Sequence, residues 1–447
     1  MTSHVSVAHV VDGLHTLVAL PDSAPRAVLV VRTPYNAGDH MAEALEWARR
    51  GIAVVTQDVR GRYRSPGAFR PYDREGADGL VTLTWVLSQS WCRSPVILYG
   101  TSYAAHCAVE TAIAAYDAGI DAVAGVSVAV PALGRGETAR NVDGSFYLES
   151  RMGWWRQHGE GAESPGAGIP DGVLATLPLT GMGRRVDPAI TVWGEVIRSV
   201  RTDDQRAEKV SALTSPLLAI GGTSDWFAQD TIDLWTSWGG PAALVVGPWD
   251  HGLRGSRRAD QVQSWIDSVL AGSAVTGARV HGASGNVTDF DRWPSASVSI
   301  DLPGGRFRSD PAVPFLSFAP GTDLREAAAR SDCLVRELPV PADTIIGTPS
   351  VRIDSPAGSG DWSALLAIRR RDGRLEQVAH GMSPHPAVRL TPISVHLETG
   401  ESMAVIVSAH SFPRHARDLQ AGDDHLTGTS MQSAERDVRT VHVELPA

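Results

Sequence analysis

Cysteine is scarce in this chain of 447 residues. Cys92, Cys107 and Cys333 lie far apart, form no CxxC pair and have no histidines at metal-ligand spacing. This pattern excludes a disulfide-stabilised scaffold and a cysteine-based zinc site, because both need cysteines in pairs or clusters. We expect free, buried thiols in a reducing compartment.

Long apolar runs and basic charge are also lacking. No stretch approaches the ~18 consecutive apolar residues of a membrane helix. Polar residues interrupt the N-terminal segment, so it lacks the apolar core of a signal peptide. These residues are His4, His9, Asp12 and His15. The net charge is −10 and Lys209 is the single lysine, so a phosphate backbone would be repelled. We expect a cytoplasmic protein without membrane or nucleic-acid partners.

The stretch VILYGTSYAAHCAVETAIAAY, residues 96–116, carries the strongest functional signal. Val96 to Tyr99 is an apolar run that predicts a buried strand, Gly100 ends it, and an alanine-rich helix begins at Tyr103. Ser102 lies at the bend between them. A serine on a sharp strand-to-helix turn is typical of a nucleophile elbow, and the N–H groups that open the helix can stabilise an oxyanion. The alternative is a serine that only caps a core helix.

Strands alternate with helices on both sides of this stretch. Asp12-Gly13 predicts a hairpin between two strands near the N-terminus. The other predicted strands are 27–35, 52–61 and 121–130, sheet structure is predicted to resume within 215–227 and 242–252, and the predicted helices are 40–50, 75–89, 230–238 and 259–270. This alternation predicts a mostly parallel sheet covered on both faces, with ligands bound at the carboxyl ends of the strands.

The alternation stops twice. Between about residues 133 and 209 the chain is rich in tryptophan, arginine, glycine and proline, which we interpret as a helical cap whose tryptophans line a pocket or only pack helices together. Beyond residue 272, short alternating strands and turn clusters predict a two-sheet jelly roll. The predicted fold is therefore α/β, with an α/β-hydrolase core. The predicted domains are the first part of the core, 1–131; the helical cap, 132–210; the second part of the core, 211–272; and the jelly-roll β-sandwich, 273–447.

Two residues match the acid and base that follow the nucleophile in the α/β-hydrolase order. Asp225 follows the predicted strand that ends at Gly221-Gly222, and His251 follows the next strand and its turn. Both loops are expected at the sheet edge that holds Ser102. An imidazole can take the serine proton near neutral pH, and a carboxylate can orient the imidazole.

Other side chains near these positions were weighed for the same roles. They are Asp250, Asp230, Asp233, His106 and Cys107. Asp250 is adjacent to His251, and neighbours on a loop rarely face each other. The other two aspartates lie on a predicted helix and are expected to be solvated, whereas the histidine and cysteine after Ser102 are expected to pack.

Several segments together resemble a known family. They are RTPY at 32–35, QDVRGRYRSPG at 57–67, SQSWC at 88–92, YGTSYAA at 99–105, GGTSDWF at 221–227 and GPWDHG at 247–252, with RRRDGRLEQVAHGM and SAHSFPRHARDLQAG in the β region. Their order is similar to that of the CocE/NonD hydrolases, which include bacterial cocaine esterase, α-amino-acid ester hydrolases and X-Pro dipeptidyl-peptidases. The similarity extends over almost the whole chain.

The resemblance implies a serine hydrolase that needs no cofactor and no metal. Ser102 would be the nucleophile, His251 the general base and acid, and Asp225 its orienting carboxylate. The family pattern also implies that the Tyr35 hydroxyl and the Tyr103 backbone N–H form the oxyanion hole. The expected substrate is a small acyl ester or amide, cleaved through an acyl-enzyme.

The sequence departs from the family pattern at three points. Ala105 replaces a glycine of the elbow, Thr223-Ser224 replace an aromatic pair, and the β domain is short. The substrate class therefore stays open between an ester hydrolase, an X-Pro or aminoacyl peptidase and an acyltransferase, and a catalytically silent binding protein is the alternative from another class. A peptidase would need a cap carboxylate for the substrate amine; the candidates are Glu137, Asp143, Glu149, Asp203 and Asp204. An exposed sandwich edge would also allow a homodimer.

Overall fold

The computed structural model describes residues 6–340, 342–356, 360–422 and 424–446. The chain divides into two compact units. The first extends to Arg135 and also contains Trp154–Gly168 and Thr202–Arg279. The second contains Gly136–Gly153, Ile169–Arg201 and the chain from Val280 onward. The first unit is thus assembled from three separate stretches of chain.

The first unit is built on a mixed sheet. The strands of this sheet that lie wholly in the first unit are β1 (Ser6–Val11), β2 (Leu14–Ala19), β3 (Ala27–Thr33), β4 (Ile52–Asp58), β5 (Val96–Thr101), β6 (Val123–Ala129), β7 (Leu217–Gly222) and β8 (Ala242–Gly247). They lie in the order β1-β2-β4-β3-β5-β6-β7-β8. β1 and β2 are antiparallel to their neighbours, whereas the pairs from β4 to β8 are parallel.

Helices connect these strands. The helices of the chain are α1 (Met41–Arg49), α2 (Glu75–Ser88), α3 (Tyr103–Asp117), α4 (Arg135–Ala139), α5 (Leu148–Trp154), α6 (Trp193–Val196), α7 (Asp203–Ser211), α8 (Ala228–Ser237), α9 (Arg258–Leu270) and α10 (Arg325–Ala328). Shorter helical turns occupy Ala37–His40, Trp155–Gly159, Val173–Ala175 and Leu179–Arg185. The long stretch between β6 and β7 thus holds α4 to α7 and several single turns.

Burial explains why the central strands are continuous apolar runs. Every residue of β3 and β4 is buried, because helices cover both faces of a parallel sheet. One core cluster joins Trp47 of α1 and Trp265 of α9 to Ile97 and Ile220 of the sheet. The predicted hairpin is confirmed: Asp12 and Gly13 both have positive φ, and Val11 pairs with Leu14.

The second unit is mainly antiparallel β structure. The strands from residue 277 onward are β9 (Gly277–His281), β10 (Val287–Phe290), β11 (Ala296–Ser309), β12 (Cys333–Leu338), β13 (Thr344–Gly347), β14 (Ser350–Asp354), β15 (Trp362–Arg369), β16 (Leu375–Ser383), β17 (Ala387–Arg389), β18 (Ile393–His396), β19 (Ser402–Ser408) and β20 (Ala434–Pro446). Two four-stranded sheets have the orders β11-β20-β14-β17 and β12-β19-β15-β16, and β13 pairs with β18.

The two four-stranded sheets share one apolar core. Phe307, Trp362, Val405 and Val441 belong to this cluster, and they come from both sheets. An α/β unit together with this antiparallel sandwich confirms the predicted fold class. Within the described part of the chain, the helices all fall short of the length and apolar composition needed to cross a bilayer.

Candidate active site

The turn between β5 and α3 has the strained geometry of an elbow. Ser102 has φ 57° and ψ −119°, a backbone conformation that non-glycine residues rarely adopt. Gly100 permits the close approach of strand and helix, because a Cβ at this position would lie 2.2 Å from the carbonyl carbon and oxygen of Ala104. The turn therefore places Ser102 beyond the end of β5, at the start of α3, and both of these elements are largely buried.

Three side chains predicted from separate loops form a continuous hydrogen-bonded series. The Ser102 Oγ lies 3.0 Å from His251 Nε2. The other ring nitrogen, Nδ1, lies 2.7 Å from Asp225 Oδ1. Asp225 follows β7 and His251 follows β8, so the carboxyl ends of neighbouring parallel strands carry both residues to the elbow.

The two ends of this series differ in solvent access. The Asp225 side chain is 0% exposed, whereas that of His251 is 33% exposed. Asp225 Oδ2 accepts a hydrogen bond of 3.2 Å from the Phe227 backbone N–H. Because a carboxylate can only accept, His251 donates through Nδ1–H, and its Nε2 is left to accept the Ser102 proton. This arrangement can activate a serine hydroxyl.

Tyr35 and Tyr103 flank the elbow in different ways. Tyr35 follows β3, and its Oη accepts a hydrogen bond of 3.0 Å from Trp154 Nε1. The Tyr103 phenol is fully buried and donates to Glu75 Oε1 at 2.7 Å, and burial raises its pKa well above the usual range. The side chain of Tyr103 is therefore structural. Its backbone N–H opens α3, where helix N–H groups have no acceptor in a preceding turn.

A polar cluster that the sequence did not reveal lies beside His251. A cavity of about 290 Å³ is lined by His251, Tyr35 and residues of β3, β4 and β5, together with Glu43, Tyr99 and Arg258. Glu43 Oε1 accepts from Tyr99 Oη at 2.8 Å and from Arg258 Nη2 at 3.2 Å. Burial acts to raise the pKa of the Glu43 carboxyl, but Arg258 and the hydrogen bonds outweigh it, and the net shift is downward.

Arg258 connects this cluster to the elbow. Its Nη1 donates to Thr101 Oγ1 at 3.0 Å and also to the Tyr99 hydroxyl. Thr101 is the residue before Ser102, so the cluster holds the strand end on which the elbow depends. Arg258 is 215 residues from Glu43 in sequence. No local motif could have signalled this pairing.

The alternative residues occupy other environments. Asp250 is exposed and its Oδ1 accepts from the Gly252 N–H at 3.0 Å. Asp233 is exposed as expected, but the expectation that Asp230 is solvated is wrong, because Asp230 lies on the buried face of α8. His106 and Cys107 are buried, as expected for packing residues. Burial raises the pKa of the Cys107 thiol well above its usual range, which makes it a poor nucleophile.

The residues described by the structure contain no group of three or more histidine, cysteine, aspartate or glutamate side chains arranged to hold a metal ion. All three cysteines are free, as expected, but the expectation that all are buried is wrong, because Cys92 and Cys333 are only half-buried. The five acids considered as amine ligands include Asp143, whose Oδ2 accepts from the Arg389 N–H at 2.6 Å, and the buried Glu137.

Comparison with known proteins gives matches at the levels of family, sequence and fold. The model of the X-Pro dipeptidyl-peptidase family (S15) matches residues 12–253. The cocaine esterase of Rhodococcus sp. (strain MB1 Bresler) is 28% identical over 287 residues, which cover 56% of this chain and 49% of the esterase. The chain therefore matches about half the length of that relative.

Two solved structures are similar over nearly the whole chain. An aminopeptidase from the marine sediment archaeon Thaumarchaeota archaeon has a TM-score of 0.82 at 17% identity. An α-amino acid ester hydrolase has a TM-score of 0.81 at 16% identity. Each match covers 99% of this chain and 96% of the other. At these identities the likeness establishes a shared fold.

Proposed function

Because this chain belongs to the X-Pro dipeptidyl-peptidase family (S15), we propose that it is a serine hydrolase that cleaves a carboxylic ester or small amide through an acyl-enzyme. One observation carries the proposal: the unbroken hydrogen-bonded series from Ser102 through His251 to the buried Asp225. A silent binding protein would have no need of a strained serine at the end of such a series.

The proposed reaction has two stages. Ser102 Oγ attacks the substrate carbonyl carbon while its proton passes to His251 Nε2, and a tetrahedral oxyanion forms. His251 then protonates the leaving alcohol or amine as the bond to carbon breaks, leaving an acyl-serine. A water molecule, deprotonated by His251, attacks this ester, and the proton returns to Ser102 as the acid product leaves. Asp225 orients the imidazole and stabilises its charged form.

We propose that the Tyr35 hydroxyl and the Tyr103 backbone N–H donate hydrogen bonds to the oxyanion. Support comes from their positions, one after β3 and the other at the first residue of α3. A donor aimed at developing negative charge is worth about 100- to 1000-fold in rate in other hydrolases. Both groups would act together with the positive end of the α3 dipole.

Ester cleavage is the first choice of substrate chemistry. Two of the three relatives described above are named for ester hydrolysis, and the third is named an aminopeptidase. A panel of p-nitrophenyl esters and amino-acid p-nitroanilides separates these classes. An added primary alcohol that captures the acyl group, without release of the free acid, would indicate an acyltransferase.

Fluorophosphonate labelling tests the nucleophile. We expect the wild-type protein to be labelled, and Ser102→Ala to lose both labelling and at least about 10⁴-fold of kcat for p-nitrophenyl acetate. Ser211→Ala is the matched control, because it removes an exposed hydroxyl on α7, and we expect it to be labelled like the wild type. Unlabelled but folded wild-type protein would favour the binding protein, and labelling of Ser102→Ala would place the nucleophile elsewhere.

A further inference from the structure

One tryptophan contacts both residues proposed for the oxyanion hole. Trp154 Nε1 lies 3.0 Å from Tyr35 Oη. The indole ring also stacks on the ring of Tyr103, with the centroids 6.1 Å apart and the planes within 3° of parallel. The Trp154 side chain is thus held against Tyr103 while its N–H group points to Tyr35. Residues 35 and 154 belong to the same compact unit.

Hydrogen-bond chemistry determines the direction of the Trp154 contact. An indole N–H can only donate, so the Tyr35 oxygen must be the acceptor. This bond uses a lone pair of the phenol oxygen and leaves its O–H in the role of donor. It also restricts rotation of the Tyr35 side chain, and donation to a hydroxyl oxygen strengthens that hydroxyl as a donor.

The ring of Tyr35 has a second neighbour that is uncharged at neutral pH. His158 packs edge-on against it, with the centroids 4.9 Å apart and the planes at 70°. His158 Nδ1 lies 2.8 Å from Ser164 Oγ, which accepts hydrogen bonds from Arg62 Nη2 at 2.6 Å and from the Tyr63 hydroxyl at 3.1 Å.

The environment of His158 disfavours its charged form. Ser164 Oγ already accepts from the Arg62 guanidinium, so a positive charge lies one hydrogen bond away from the imidazole. Burial, assisted by the Arg62 charge, lowers the pKa of His158 to about 4. The ring therefore supports Tyr35 sterically without placing a positive charge beside it.

The backbone that carries Tyr35 is fixed as well. The Tyr35 N–H donates to Thr33 Oγ1 at 3.1 Å. The buried Arg62 guanidinium donates through Nε to the Pro34 carbonyl at 3.0 Å, and through Nη1 to the Gly161 carbonyl at 2.7 Å. Arg62 thereby joins the segment before Tyr35 to the segment that carries His158. With this backbone fixed, the direction of the Tyr35 hydroxyl depends on the side-chain torsions, and the hydrogen bond from Trp154 restrains them.

We propose that Trp154 is a positioning residue that orients the Tyr35 hydroxyl toward the oxyanion. The inference rests on the proposed function, because it assumes that Tyr35 stabilises the transition state. Trp154 itself does not touch the reacting atoms. Its contribution is preorganisation: the phenol does not have to be reoriented as the charge develops. Loss of the indole N–H should then lower kcat and leave KM nearly unchanged.

A double-mutant cycle with p-nitrophenyl acetate tests this role. Trp154→Phe keeps an aromatic ring to stack on Tyr103 but removes the N–H. We expect kcat to fall about 3- to 12-fold, as for one net hydrogen bond, with KM within about twofold. Tyr35→Phe should lower kcat about 100-fold or more. Because Trp154 acts through the Tyr35 hydroxyl, the double variant should match Tyr35→Phe within about twofold.

The outcomes separate this inference from the proposed function. If Tyr35→Phe is slow and the two effects multiply in the double variant, the positioning role is overturned while the hydrolase and its oxyanion hole stand. If Tyr35→Phe is as fast as the wild type, the oxyanion role of Tyr35 fails and the inference fails with it, whereas labelling of Ser102 still tests the nucleophile independently.

Two further variants control for packing. Trp155→Phe alters the neighbouring buried tryptophan, whose ring packs edge-on against that of Trp154. In this background we expect Tyr35→Phe to lower kcat by the same factor as it does in the wild type. Trp154→Leu also removes the N–H and replaces Trp154→Phe in the cycle if that variant folds poorly. Combined with Tyr35→Phe, it should lower kcat no further than Tyr35→Phe does alone. Melting temperatures measured for all variants identify any loss of folded protein.

Discussion

At the scale of single residues, the side chains of Asp225 and His251 differ in solvent exposure: Asp225 is buried, whereas His251 is partly exposed. A buried carboxylate is stable only if its oxygens accept hydrogen bonds, and here the Phe227 N–H and the imidazole supply them. Because the carboxylate cannot donate, it also determines which ring nitrogen keeps the proton. The orientation of His251 toward Ser102 therefore depends on a side chain that has no exposed surface.

Asp225→Asn should remove this control of the tautomer. The amide can present an N–H to His251 Nδ1, which forces the ring proton onto Nε2 and removes the acceptor for Ser102. We expect kcat for p-nitrophenyl acetate to fall about 10³- to 10⁴-fold, as for the same change in other serine hydrolases. Asp250→Asn is the control, because this side chain is exposed and the amide oxygen can still accept from the Gly252 N–H. We expect its kcat to stay near that of the wild type. Equal activity of the two variants would contradict the role of Asp225.

At the scale of elements, the close approach of β5 and α3 at Gly100 makes the elbow possible. Gly100→Ala would place a methyl group 2.2 Å from the Ala104 carbonyl, and both elements are packed in the core. We expect a loss of at least about 2 kcal/mol in the free energy of unfolding, measured with urea. Gly168→Ala, at an exposed position where an added Cβ meets nothing within 4 Å, should be neutral. Two equally stable variants would refute this account of the turn.

Much of the element pattern was predictable because it is local. Continuous apolar runs gave β3, β4 and β5, and alanine-rich sequence gave α3, each within a few residues of the observed bounds. Chain order was also enough to select His251, which the structure places next to Ser102, and Asp225, which it places next to His251. The solvation of Asp230 was predicted wrongly, because the direction of a helical residue depends on which face packs against the sheet.

The contacts that the sequence could not predict join distant positions. Trp154 and Tyr35 are 119 residues apart, and the pairing of Arg258 with Glu43 spans 215 residues. Neither pair has a spacing or composition that marks it, since only the folded sheet brings them together. The family resemblance was predictable from short motifs, and the S15 match confirms it. The domain boundaries, the homodimer and the cytoplasmic location stay predictions.

At the scale of the whole molecule, buried titratable groups in the second unit give stability a dependence on pH. His415 stacks on Tyr147, and burial, assisted by Arg414, lowers its pKa to about 3. Between pH 6.5 and about 3 the unfolded chain binds a proton that the folded chain does not. The free energy of unfolding should therefore fall as the pH is lowered through this range.

His415→Gln should weaken this acid sensitivity, because glutamine keeps a donor but does not titrate. The change can reach about 1.4 kcal/mol per pH unit for one proton, and urea unfolding between pH 7 and pH 4 measures it. Asp361→Asn is a control in which the pH dependence of the free energy of unfolding should change in the opposite direction. Burial, with the neighbouring Asp418, raises the pKa of Asp361 to about 7, so the wild-type aspartate costs stability as the pH rises from about 4 to 7. An unchanged slope in His415→Gln would contradict the assignment.

The assembly of the first unit from three stretches of chain has a consequence for biosynthesis. Ser102 is synthesised first, and Trp154 follows only after the first segment of the second unit has been synthesised. His251 is synthesised 149 residues after Ser102. A ribosome-bound chain that has not yet released residue 251 contains Ser102 but not His251, the residue proposed to be its base. The nascent chain should therefore not hydrolyse acyl esters during more than half of its translation. Ribosome-bound chains arrested before residue 251 is released should not be labelled by fluorophosphonate.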